Sequence, residues 1–237
     1  MRSSRSAILA LLLLATTAQA SGLNLSWDRC YGDGAPVVNK TFACDRNSGS
    51  EVFVASFILA APISPLRLVE VAFDLQSPSG TALPPWWAYT TSNSCRLNQM
   101  TIDGAPPLPG GNCQGWVPGL IAPFDLSRYD FQSPTPDLAR LVVSAGGGNA
   151  ALLAGTEYLA CAIHLSHVRT VGPDACGGCL DPVAITLSQL RVAQAGPIPP
   201  PDQLLSVAAG GNVVVWQPGR PTAARASTWS AVKALYR

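Results

Sequence analysis

The chain has 237 residues, of which 12% are charged and 48% hydrophobic, with a formal net charge of +1. Soluble domains usually carry about 25% charged residues, so this composition excludes a disordered chain and leaves ample material for a core. The 21 Gly and 21 Pro exclude a fold built on long helices and favour many short strands between turns.

The net charge conceals a division along the chain. All 14 acidic residues lie between Asp28 and Asp202, where nine Lys or Arg accompany them and leave the body at −5. Four basic residues after Gly219 (Arg220, Arg225, Lys233, Arg237) make the tail +4. An acidic body disfavours nucleic acid as a partner.

In chain order, Arg2 and Arg5 precede an apolar run over 7–15 and a small-residue exit ending in Ala18-Gln19-Ala20. This is the pattern of a secretory signal peptide over residues 1–20. The run is about half the roughly 20 apolar residues that cross a bilayer, so a cleaved leader is expected rather than an anchor. No transmembrane segment is expected after it. The first cysteine is Cys30, well past the cut, which does not fit a lipoprotein anchor. The expected location is outside the cytoplasm: extracellular, at the cell surface or in the periplasm.

Residues 21–217 are expected to form one β-sandwich domain. The stretch 52–60 is apolar at nearly every position and 68–76 alternates, with Glu70 and Asp74 on one face. A turn follows at 77–80, then a short aromatic strand over 86–91. The region 92–137 has few strand signals and suits an elaborated loop. Residues 138–145 fit either a strand or a short helix. Strands over 157–170 and 182–193 are expected to form a hairpin, and 212–217 gives a last strand. The expected fold is all-β, an antiparallel sandwich with immunoglobulin-like or jelly-roll topology.

Seven cysteines in an exported chain argue for disulfides. Proximity suggests Cys30 with Cys44, Cys95 with Cys113, and a local bridge between Cys176 and Cys179. In 157–170, Leu159, Cys161, Ile163 and Leu165 share one face at period two, so Cys161 is expected to be a buried, free thiol. A zinc site is the alternative, with His167 (or His164), Cys176 and Cys179 as ligands. It would need an improvised second half-site, and the two histidines sit on opposite faces of their strand. No cofactor is otherwise expected.

The conspicuous binding candidate is Trp86, Trp87 and Tyr89, whose rings could stack on a sugar; the plainer reading packs them in the core. Asn24-Leu25-Ser26 and Asn39-Lys40-Thr41 fit the short glycosylation pattern, and no role is assigned to them. The chain has no G-x-S-x-G, H-E-x-x-H or P-loop sequence, and no catalytic residue is nominated. Residues 218–237 read as a linker and a basic amphipathic tail. Its last part is expected to form a short C-terminal helix with Trp229, Val232, Leu235 and Tyr236 on one stripe. Such a helix needs something to dock on.

The segments LNLSWDRC and NKTFACDRNSGS near the start, TVGPDACGGC, and the ending TWSAVKALYR are similar to those of a group of uncharacterised exported bacterial proteins. The resemblance covers both ends and one loop, implies bacterial origin and export, and carries over no functional residue. The expected function is that of a non-enzymatic secreted or cell-surface protein, structural or adhesive, with a glycan or a cell-surface protein as partner. A carbohydrate-binding module using Trp86, Trp87 and Tyr89 is the alternative. A third reading is a hydrolase with dispersed carboxylates, which requires two acids about 5–10 Å apart in a cleft.

Overall fold

The computed structural model describes residues 20–90, 94–104, 113–115, 124–194 and 202–219. Its strands are β1 (Gly22–Trp27), β2 (Asn39–Lys40), β3 (Ser50–Ile58), β4 (Leu66–Gln76), β5 (Met100–Asp103), β6 (Phe124–Phe131), β7 (Leu138–Gly146), β8 (Glu157–Ser166), β9 (Val183–Gln194), β10 (Gln203–Leu205) and β11 (Val213–Trp216). Among the described residues these make two sheets. The smaller runs β1-β3-β8-β5, and the larger runs β2-β11-β9-β4-β7-β6, with β10 also on β9. The ladders are antiparallel except the short parallel pair β2–β11. The result is an all-β, sandwich-like arrangement.

Side-chain alternation explains how the sheets meet. In β7 Ala139, Leu141, Val143 and Ala145 are buried and their neighbours are not, so period two makes 138–145 a strand. In β4 Val69, Val71, Phe73 and Leu75 point into the same core. Rings close the gap between sheets: Phe53 of β3 meets Phe73 of β4 edge-on at 5.6 Å, and Trp27 of β1 meets Trp216 of β11 at 5.9 Å.

Three expectations are corrected here. The described part of the expected 86–91 strand, residues 86–90, forms no strand. A 3-10 turn occupies Pro85–Trp87, because Pro84 and Pro85 fix φ and remove two amide donors that a ladder would need. The hairpin of 157–170 with 182–193 does not form either: β8 pairs with β3 and β5, whereas β9 pairs with β4, β10 and β11. Both strands carry a core-facing row, and the connection between them lets those rows face one another from opposite sheets. Finally, Leu159 leaves the row assigned to it. Ser56 pairs with Leu159 and Ala55 with Cys161, so Ala160 is an extra residue that shifts the phase. Cys161, Ile163 and Leu165 face the main core, while Leu159 joins Cys30, Val54 and Ala162 in a smaller cluster.

The region 92–137 contributes two strands, β5 and β6, where a loop was expected. The signal peptide over 1–20 (save Ala20) and the tail helix with Trp229, Val232, Leu235 and Tyr236 lie outside the described residues. Among the described residues no helix is long and apolar enough to cross a membrane.

Candidate functional site

The consecutive strands β1 to β5 alternate between the sheets, and this decides the cysteine pairing. The bridges are Cys30–Cys113, Cys44–Cys179 and Cys95–Cys176, and Cys161 is free and buried. The pairs Cys30–Cys44, Cys95–Cys113 and Cys176–Cys179 do not occur. A chain that crosses between sheets separates sequence neighbours and brings distant loops together at one end of the sandwich. The same bridges remove the zinc alternative, since Cys176 and Cys179 supply no thiolate. No group of three or more metal-binding side chains occurs among the described residues.

Two of the bridges, Cys44–Cys179 and Cys95–Cys176, meet at a cleft of about 330 Å³ lined by Cys44, Thr170, Cys176, Gly178, Cys179, Leu180 and Asp181. Beneath it lies an aromatic column. The Thr170 hydroxyl donates to the His167 carbonyl at 2.5 Å and accepts from the Trp86 indole at 3.4 Å. Trp86 stacks on Trp216 with centroids 5.0 Å apart, and Trp87 meets both rings edge-on at 5.2 and 6.0 Å. Trp86 and Trp87 are 0% exposed and Tyr89 is 1% exposed. Rings with no free face cannot stack on a sugar, which overturns the carbohydrate assignment of Trp86, Trp87 and Tyr89.

The column is capped by a cation that nothing in the sequence singles out. The Arg96 guanidinium sits 3.9 Å from the Trp86 centroid and 5.5 Å from that of Tyr89. Arg96 is fully buried and donates from Nη2 to the Ser166 carbonyl, while Nε and Nη1 find no hydrogen-bond partner among the described residues. Burial lowers its pKa from the usual guanidinium value, because the charged form loses water. The Tyr89 phenol, buried beside it, is pushed up for the same reason.

A line of charges flanks the column, with Lys40 on β2, Glu51 on β3, and Asp28 and His167 just past the ends of β1 and β8. Lys40 Nζ lies 2.8 Å from Asp28 and 2.6 Å from Glu51, and Glu51 Oε1 lies 3.2 Å from His167 Nε2. His167 Nδ1 donates to the Ser48 carbonyl at 2.6 Å, and the ring stacks on Phe42 at 3.8 Å. Burial works to lower the Lys40 pKa, yet hydrogen bonds to Asp28 and Glu51 outweigh it and hold it above 10.5. The two carboxylates come together, but an ammonium ion stands between them, the geometry of an ion-pair brace rather than of an acid–base pair. Their separation of 23 residues from Asp28 to Glu51, and of 116 more to His167, hides the line from sequence reading.

Glu157, an acid more deeply buried than Asp28 or Glu51, is likewise saturated. It accepts from Gly32 N at 2.9 Å, Ser56 Oγ at 2.5 Å and Asn24 Nδ2 at 3.2 Å. Comparison with protein-family models and with curated proteins returns no match.

Proposed function

We propose that this chain is a non-enzymatic exported protein of bacterial origin, acting at the cell surface or beyond as a structural or adhesive β-sandwich. The observation that carries this reading is the disulfide brace. Its bridges join residues 83, 135 and 81 positions apart, a construction that fits an oxidising compartment. The burial of Trp86, Trp87 and Arg96 and the ion-paired Lys40 line support it, because these groups serve packing and leave the surface to recognition. In this reading residues 1–20 address the chain for export, the sandwich takes an immunoglobulin-like or jelly-roll topology, and the basic tail adds a short helix that completes the addressing. A cell-surface protein or glycan is the partner.

The test is expression of the whole chain with its own leader in a bacterial host, followed by fractionation, N-terminal sequencing and a panel of glycosidase, esterase and peptidase substrates. A processed, fully bridged protein outside the cytoplasm without turnover is the expected result. Retention inside the cell with reduced cysteines would overturn export, and reproducible turnover would overturn the non-enzymatic assignment.

A further inference from the structure

Cys176 and Cys179 stand on either side of Gly177-Gly178, yet they end in different bridges, one to Cys95 and one to Cys44. Cys44, Cys176 and Cys179 line one cleft, so two disulfides share a solvent-facing wall. Cys44 and Cys95 are half-buried, whereas Cys176 and Cys179 are 4% and 5% exposed. The link between the inner pair is a turn: Gly178 has φ +94° and its carbonyl accepts from Asp181 N at 3.2 Å. Glycine adopts that conformation without strain, which lets the flanking cysteines fold toward each other.

We propose that this cleft is a thiol–disulfide exchange site for small thiols, at which opening of one long-range bridge is relayed into a local Cys176–Cys179 bridge. Exchange proceeds by attack of a thiolate on one sulfur and departure of the other. An incoming thiolate attacks Cys44 Sγ, forms a mixed disulfide there and expels Cys179 as thiolate. Cys179 then attacks Cys176 Sγ, forms the local bridge and expels Cys95, which takes up the proton of the incoming thiol. Two sulfur–sulfur bonds are present before and two after, so no oxidant is consumed. Closing the four-residue loop costs little chain entropy. Arg169 donates from Nη1 to the Cys95 carbonyl at 2.8 Å, which places a cation near the departing sulfur. The remaining bridge has no such relay: Cys30 is fully buried and packs with Cys113 in the smaller cluster.

Trypsin makes the exchange readable, because peptides 41–46, 68–96 and 170–191 carry Cys44, Cys95 and the Cys176/Cys179 pair respectively. In the native protein these three are joined as one species. The oxidised wild-type protein is treated with equimolar glutathione at mildly alkaline pH, quenched in acid, alkylated with N-ethylmaleimide and mapped without reduction. The expected products are 41–46 carrying glutathione, 68–96 carrying maleimide, and 170–191 alone with an internal bridge. A 170–191 peptide still joined to 68–96 with maleimide on Cys179 overturns the relay, and so does a protein whose three bridges all survive. Cys44→Ser supplies a second arm that needs no added thiol: the free sulfur is expected at Cys95, and its retention at Cys179 counts against the proposal.

Discussion

Trp86 and Arg96 form a pair whose coupling can be measured. Trp86 is fully buried, stacked on Trp216 at 5.0 Å on one side and under the Arg96 guanidinium at 3.9 Å on the other. Trp86→Leu removes ring volume from the core, at a cost of about 3 kcal/mol. It also deprives a desolvated guanidinium of its aromatic face, a further loss of about 2 kcal/mol. The sum is comparable to the whole stability of a marginal domain, about 5 kcal/mol, so the bridges are kept oxidised to hold the variants in a measurable range. In an Arg96→Met background the second contribution vanishes, and Trp86→Leu should cost only about 3 kcal/mol. The assay is a four-protein cycle followed by urea denaturation and near-ultraviolet circular dichroism. A coupling of about 2 kcal/mol is expected. A value within about 0.5 kcal/mol of zero, the scatter of independent sites, would refute the stacking argument and leave Arg96 held by its Ser166 and Tyr89 contacts.

Removing the central cation of the charge line by Lys40→Met should destabilise by about 1–2 kcal/mol, between the values for exposed and buried pairs, as read by urea midpoint. Because the folded-state pKa of Lys40 lies above 10.5, its contribution is complete below pH 10.5 and is lost as pH rises through the higher folded value. Wild-type stability should therefore fall in that alkaline window by more than that of Lys40→Met, and equal slopes would argue against the brace. Glu157→Ala strands the Gly32 amide, Ser56 and Asn24 without their acceptor, a loss of about 3 kcal/mol that thermal melting can register. Cys161 is buried and its thiol is pushed up by burial alone. An aromatic disulfide reagent should find no reactive thiol in the native protein and one after unfolding without reduction; prompt native reaction would contradict the core placement.

Local chemistry made several elements legible before any coordinates. The strict alternation around Ala139, Leu141 and Val143 and the apolar run in β3 are signals written at the range of a single strand. The odd status of Cys161 followed from the same periodicity, even though the extra residue at Ala160 moved Leu159 off the shared face. What local patterns do not carry is which sheet a strand joins. The rows on β8 and β9 suit a hairpin and a pair of opposed strands equally well, and the choice is made by β3 and β4 competing for their edges. The cysteine pairing inherits that ambiguity, since Cys44 reaches Cys179 only once β2 and the connection after β8 are brought to one end. The Trp86-Trp87 pair misled for a related reason: preceding prolines turned it inward, where Trp216, distant in sequence, and Arg96, ten residues on, were waiting.

The Cys44–Cys179 bridge has a mechanical consequence. A pull applied between residues 20 and 219 runs to Cys44, crosses to Cys179 and continues outward, so the 135-residue span between them carries no tension. At about 3.4 Å per extended residue, close to 460 Å of chain lies in that shielded span. Breaking it alone would pass the load to Cys30–Cys113 and Cys95–Cys176, which leave only the 18 residues from Cys95 to Cys113 in the path, so a force-extension trace would record a short step first and the long ones only as those two bonds fail.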